Sequence, residues 1–219
     1  MYPIAELQCW DEGGDTHCED MPLEATADNL MMTVAAALAS GDTSTAERFF
    51  PLMQQYADYL VANGLDPVSQ LSSDDYEGPS ADNSNLAAKS ILGVAAFAAL
   101  CDATHRTCGD EYRAVAKRDA SAWVAKAAGG RGGASTREYG KAGTWSQKYN
   151  FVWDKLFGFE LFGDAIVKEC GMIMSPAGTV RQAYGWYLDD RSEADGVRYC
   201  GVRQCQHLTN SGWSEWTAA

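Results

Sequence analysis

Several features are scarce in this 219-residue sequence, and each absence narrows the possible functions. No apolar run approaches the roughly 20 residues needed to cross a bilayer, so the sequence predicts no membrane span. Alternation of β-branched and polar residues is nearly absent, which argues against a large sheet. Only three histidines occur, and GxSxG is missing, so a histidine-activated nucleophile is poorly supported. Zinc-type and EF-hand spacings are also missing, and we therefore expect no metal and no cofactor.

Positive charge is scarce as well. Lysine and arginine together number 17, against 30 aspartates and glutamates, so the formal net charge is −13. A chain this acidic is repelled by phosphate backbones, and we expect no nucleic-acid partner. The hydrophobic fraction of 46% and the charged fraction of 21% are typical of globular proteins and argue against a disordered chain.

The seven cysteines fall mostly into close pairs. The pairs are Cys9 with Cys18, Cys101 with Cys108, and Cys200 with Cys205, and Cys170 is left over. These spacings favour local disulfides, with reduced cysteines and metal ligation as the alternatives. Because disulfides persist in oxidising compartments, the disulfide interpretation predicts an extracellular or secreted protein.

Hydrophobic periodicity predicts helices along most of the chain, after a structured loop over residues 1–22. The predicted helices span 23–40, 83–101, 110–128, 146–157 and 164–174. A further helix begins within 42–45 and ends at 63–64, and a last one begins at 211. Successive helices joined by short turns form helical hairpins. A repeat of about 40–45 residues indicates a helical array.

The predicted fold class is therefore all-α, with helical hairpins that form part of a closed array. A closed array needs more hairpins than this chain holds, and terminal hairpins should carry a polar outer face. We interpret residues 1–219 as a single, partial domain that joins the remainder of a longer chain or other subunits.

Three acidic and aromatic loops carry the candidate chemistry, because loops at one end of a helical array form a cleft. Their carboxylates include Glu24, Asp74, Asp75 and Asp154. One carboxyl group with a raised pKa can protonate a leaving group, while a second, ionised one activates water. This combination is typical of hydrolases, although acidic loops are often only solvated surface.

The sequence also resembles the glutaminase A family. The run Trp145–Phe159 is similar to the family pattern W-S-x-K-Y-N-L-V-W-D-x-L-L-G-L, and Gln70–Gly78, followed by Asn83, Asn85 and Lys89, is similar to Q-L-x-T-D-D-F-x-G and N-x-N-L-x-x-K. Weaker similarities occur at 21–29, which resembles M-P-x-E-E with G-N-M, and at 184–191, which resembles Y-G-x-x-L-D-x-R. The four segments occur in family order and cover roughly residues 20–192.

The resemblance implies a six-helical-hairpin domain, an (α/α)6 toroid of the kind also found in many glycosidases. It also implies a secreted hydrolase that converts glutamine to glutamate and ammonia. The segment after Glu24 is longer than in the family pattern, which leaves its register open.

We assign roles to the candidate residues from their chemistry. Asp74 or Asp75 would be the general base, and Glu24 or Asp154 would be the acid that protonates the leaving ammonia. The developing oxyanion would be held by one of two polar side chains, Lys148 or Asn85. The remaining substrate-binding candidates are Asn83, Trp145, Tyr149 and Asp189.

Two other functions fit the same pattern. A glycoside hydrolase would also use this fold and a pair of carboxylates, with a glycan rather than a small molecule as substrate. A non-enzymatic extracellular assembly protein would reuse the fold with a covered cleft and large apolar contacts to other chains.

Overall fold

The computed structural model describes residues 8–12, 15–19, 21–72, 79–130, 134–144, 148–163 and 166. Within these residues the α-helices are α1 (Pro22–Ser40), α2 (Ser44–Arg48), α3 (Phe50–Asn63), α4 (Ser84–Ala103), α5 (Gly109–Lys126) and α6 (Val152–Phe157). A 3-10 turn, Tyr149–Phe151, leads into α6. The predicted helix at 164–174, the helix that begins at 211 and the pair Cys200–Cys205 lie outside the described residues.

A small β-hairpin precedes the helices. Strand β1 (Gln8–Glu12) pairs antiparallel with β2 (Asp15–Glu19), and the register places Cys9 opposite Cys18. The prediction of a structured loop over residues 1–22 was wrong for these ten residues. Two five-residue runs separated by Gly-Gly are a hairpin signal that the loop prediction overlooked.

The first helical hairpin consists of α1, α2 and α3. Helix α1 starts with Pro22, whose missing N–H is not needed in the first turn, and it ends at Gly41 in the left-handed region (φ 70°). The sequence predicted one helix up to Asn63, but the structure has two, separated at Phe49. Pro51 explains the break, because a proline ring clashes with the preceding helical turn and is accepted only near a helix start.

Helix α4 is the centre of the fold. Every residue from Ser84 to Ala98 is buried, and α4 packs against α1, α3, α5 and the 3-10 turn. Its length and composition alone would suffice to cross a membrane, contrary to our reading of the apolar runs, but 83% of that stretch is buried among the other helices. A buried core helix can have the same length and composition as a membrane span, and we therefore assign α4 to the core.

Helices α1 and α4 run parallel. Near their N-termini, Lys89 of α4 contacts Glu24 of α1. One turn further along, a Cβ placed on Gly93 would lie 3.2 Å from the Cα of Ala27. Both helices therefore begin at the same end of the bundle.

Helix α5 runs antiparallel to α4. Its early residue Tyr112 packs edge-on against Phe97, with ring centroids 4.7 Å apart, whereas its late residue Trp123 donates a hydrogen bond to the carbonyl oxygen of Ser84 (2.6 Å). The C-terminus of α5 thus lies beside the N-terminus of α4.

Helix α3 is also antiparallel to α4. Leu60 lies against Gly93, and Gly64, which follows α3, lies against Ser90. A Cβ on Gly64 would come within 2.5 Å of the Ser90 Cβ, so this close approach needs glycine. The N-termini of α1 and α4 and the C-termini of α3 and α5 therefore meet at one end, which we call the loop end.

The observed architecture confirms the all-α fold class and its helical hairpins. The predicted disulfide between Cys101 and Cys108 is also confirmed, with Cα atoms 5.7 Å apart. It closes the turn between α4 and α5 at the end of the bundle opposite the loop end.

Removing this disulfide should destabilise the fold. We expect the Cys101→Ala/Cys108→Ala variant to lose about 2–3 kcal/mol, because the bond restricts the unfolded chain across a short loop. Urea unfolding followed by circular dichroism would measure the loss. Each single variant should lose a similar amount, since either one abolishes the bond, and an unchanged unfolding midpoint would contradict the expectation.

Candidate active site at the loop end

A buried lysine organises the loop end. Lys89 lies in the apolar helix α4, its side chain is 1% exposed, and Nζ lies 2.5 Å from Glu24 Oε1 and 2.9 Å from Asp28 Oδ1. A buried ammonium group is tolerated only when carboxylates or other acceptors replace its water. Helix α1 supplies both carboxylates from successive turns, because positions four apart share one face.

The three charged groups differ in their access to solvent. The side chain of Glu24 is 7% exposed, whereas that of Asp28 is 45% exposed. Glu24 also lies in the first turn of α1, where the helix dipole favours a negative charge. The cluster therefore consists of a buried ion pair, Glu24 with Lys89, and one carboxylate that solvent can reach, Asp28.

The charges of this cluster shift its acid–base equilibria. Burial alone lowers the pKa of Lys89, but Glu24 and Asp28 outweigh it, so the pKa is raised and the ammonium form persists. Partial burial, reinforced by the Glu24 carboxylate, raises the pKa of Asp28 in spite of Lys89. Asp28 thus holds a proton at higher pH than a free aspartate does.

Two asparagines lie next to this cluster. Asn85 is one turn before Lys89 on α4, and Asn150 Nδ2 of the 3-10 turn donates to the Asn85 carbonyl oxygen and Oδ1, at 3.1 Å each. Both are 1% exposed. Within the described part of the chain, Asn150 Oδ1 has no hydrogen-bond partner. A buried acceptor without a hydrogen-bond donor destabilises the fold, so a group that donates to it would be stabilising.

Asn83 has a structural function in this arrangement. Its Oδ1 accepts hydrogen bonds from the backbone N–H groups of Asn85 and Leu86, both at 3.0 Å, which caps α4. The cap fixes the start of α4 and, through it, the positions of Asn85 and Lys89. Its predicted contact with substrate is untested.

The loop that carries Asp74 and Asp75 begins and ends beside α1. Gln70 Oε1 accepts a hydrogen bond from the Leu23 N–H (3.0 Å), and the Ser80 N–H donates to the Gln70 carbonyl oxygen (3.1 Å). Gln70 thus fixes the start of this loop to Leu23, the residue before Glu24.

The other predicted site residues are placed as follows. Lys148 is buried. Asp154 is also buried, and its two oxygens accept hydrogen bonds from the backbone N–H groups of Leu161 and Phe162, at 3.1 and 3.2 Å. Burial raises the pKa of Asp154, against the opposing effect of these hydrogen bonds. Asp74, Asp75, Trp145 and Asp189 lie outside the described residues, as does the side chain of Tyr149.

The comparisons with known proteins give the family. The sequence model of the glutaminase A six helical-hairpin domain matches residues 1–219. The chain belongs to this family. The resemblance of the motifs to glutaminase A is thereby confirmed, as is the helical-hairpin fold that it implied.

Two curated members of the glutaminase A family are similar to this chain. Glutaminase A of Aspergillus oryzae is 29% identical over 176 residues, which are 79% of this chain and 25% of that protein. A probable glutaminase of Arthroderma benhamiae is 33% identical over 121 residues, 53% of this chain and 14% of that protein. The chain thus spans a quarter or less of the length of these relatives. No solved structure matches it.

Reasoning from sequence gave no site role to Asp28, Lys89 or Asn150, which the structure brings together with Glu24 and Asn85. Lys89 could have been noticed in the sequence, because it is the one charged residue in the otherwise mostly apolar run Leu86–Leu100. In the described residues, no group of three or more His, Cys, Asp or Glu side chains is placed to hold a metal ion.

Proposed function

We propose that this chain contributes to a secreted hydrolase that converts glutamine to glutamate and ammonia. The observation that carries the proposal is the convergence at the loop end of a half-exposed carboxylate, a buried cation and a pair of buried amides. The family and the names of its relatives support glutamine as the substrate. The Cys101–Cys108 disulfide supports secretion, because such bonds persist outside the reducing cytosol.

The chemistry needs three kinds of group. Water attacks the amide carbon while a base accepts its proton, a donor stabilises the oxyanion, and an acid protonates the departing nitrogen. The sequence predicts that Asp74 or Asp75 is the general base. Gln70, near the start of the loop that carries them, accepts a hydrogen bond from the N–H of Leu23, the residue before Glu24, which supports a general base in this region. Asn85 and Lys148 are buried side chains suited to donate to an oxyanion.

Ammonia release tests the proposal. The full-length protein should release ammonia from glutamine and leave simple aryl glycosides intact. Asp75→Asn should lower kcat by about 10²-fold or more, the contribution typical of a general base. Asp110→Asn is the matched control, because Asp110 is exposed at the start of α5, at the opposite end of the bundle.

The outcomes separate the rival functions. Sugar release from glycosides without ammonia release would replace the amidase proposal by a glycoside hydrolase. An assembly protein would release neither product and would form large complexes in light scattering. Unchanged turnover in Asp75→Asn would remove only Asp75 from the mechanism.

A further inference from the structure

We infer that Asp28 donates the proton to the leaving ammonia, and that the buried Lys89–Glu24 pair positions its carboxyl group. This inference rests on the proposed amidase function. It names an acid that sequence reasoning had assigned to Glu24 or Asp154.

The accessibility of the carboxylates is the first argument. Of the two acids that contact Lys89, Glu24 is 7% exposed and Asp28 is 45% exposed. An acid must come within hydrogen-bond distance of the atom that it protonates. Asp154, the other predicted acid, has both oxygens engaged by backbone N–H groups. Asp28 is therefore the carboxyl group of the cluster that a substrate can reach.

The charge balance of the cluster is the second argument. Lys89 contacts two carboxyl groups, the buried Glu24 and the half-exposed Asp28. When both are ionised, these three groups together carry one negative charge in excess, and a proton on Asp28 relieves it. A partly buried carboxyl group beside a second carboxylate is typical of functional sites.

In the proposed step, Asp28 supplies the proton that the nitrogen takes up as the C–N bond breaks. Water adds to the carboxamide carbon and passes a proton to the base, and the C=O π electrons move to the oxygen. The carbonyl then re-forms as the C–N bond breaks, and protonated Asp28 gives its proton to the departing nitrogen. The water proton restores Asp28 through the base, and the products are glutamate and ammonia.

The positioning role follows from the geometry around Lys89. Its ammonium group is bound on one side by the buried Glu24 and on the other by Asp28 Oδ1, at 2.9 Å. Because Lys89 is fixed in α4, the carboxyl group of Asp28 is held in one orientation. Glu24 and Lys89 thus act through Asp28 rather than on the substrate.

Kinetics of Asp28→Asn in the full-length protein test the acid. We expect kcat for ammonia release to fall by about 10²- to 10⁴-fold, with KM changed by no more than a few fold. The urea midpoint should stay equal or rise, because the pKa of Asp28 is raised in the fold and its ionised form is disfavoured there. A variant that keeps more than a tenth of the wild-type kcat would overturn the inference.

The pH profile of Glu24→Gln tests the positioning pair. Glu24 helps to raise the pKa of Asp28, so its removal should move the alkaline limb of the kcat profile to lower pH. The exposed control Asp110→Asn should leave this limb in place. An unmoved limb in Glu24→Gln would overturn the assignment. If the wild type releases no ammonia from any carboxamide, the proposed function fails as well, whereas an active wild type with an active Asp28→Asn variant refutes only this inference.

Discussion

Lys89→Met should destabilise the protein by about 3–5 kcal/mol, the loss typical when one partner of a buried ion pair is removed. Methionine fills much of the same volume, so the loss comes from charge rather than from a cavity. Glu24 would remain buried without the ammonium group that lies 2.5 Å from it. Urea unfolding at neutral pH would measure the difference.

Two further variants make this result specific to the buried pair. Lys117→Met is the matched control, since Lys117 is exposed on α5, and its unfolding free energy should change by less than about 0.5 kcal/mol. The double variant Lys89→Met/Glu24→Gln should recover part of the loss, because it removes both buried charges. A single variant as stable as the control would contradict the burial of this pair.

The pH dependence gives an independent check. The pKa of Lys89 is raised in the folded state, so its contribution to stability is fully present below the unfolded-state value of 10.5. That contribution is lost as the pH rises through the folded-state pKa. The stability difference between wild type and Lys89→Met should therefore persist through neutral pH and shrink only under strongly alkaline conditions.

Trp123→Ala should lower the free energy of unfolding by about 3–5 kcal/mol, as expected for truncation of a buried aromatic side chain. Trp123 is fully buried and packs edge-on against Phe151 and Phe162, with ring centroids 5.2 and 5.5 Å away. It also ties α5 to the start of α4 through the carbonyl oxygen of Ser84. The substitution would therefore open a cavity where α4, α5 and the segments on either side of α6 meet.

Graded variants separate packing from hydrogen bonding at this position. Trp123→Phe keeps a ring but removes the indole N–H, so we expect an intermediate loss. Val124→Ala, at the adjacent and 40% exposed position, should have little effect. Chemical unfolding of the three variants would give this order, and a Trp123→Ala loss no larger than that of Val124→Ala would show that the indole is not in the core.

Local signals in the sequence predicted much of the fold. Gly41 marked the end of α1, and Asn83 lies at the start of α4, where its side chain caps the helix. The spacing of Cys101 and Cys108 predicted their disulfide. Pro51 misled the prediction, since we accepted it inside a helix that the structure divides at Phe49. These features depend on a few neighbouring residues, which is why sequence reasoning reaches most of them.

The candidate site was predicted only in part. Glu24 and Asn85 were predicted site residues, and the structure places them at the loop end with direct contacts to Lys89 and Asn150, respectively. Lys148 is buried, and its role in the site stays a prediction. Asp28 received no role, because a half-exposed carboxylate on a helix looks like ordinary surface until its neighbour is known.

The sequence by itself determined the helical periods, the caps, the local disulfide and the ordered motifs that resemble glutaminase A, because each depends on residues close together in the chain. Only the tertiary structure decided which acids share a cation. Glu24 and Lys89 are 65 positions apart, and they meet because α1 and α4 run parallel in close contact. The packing of those two helices buries one carboxylate and leaves the other half exposed, a difference that depends on surrounding surface rather than on residue type.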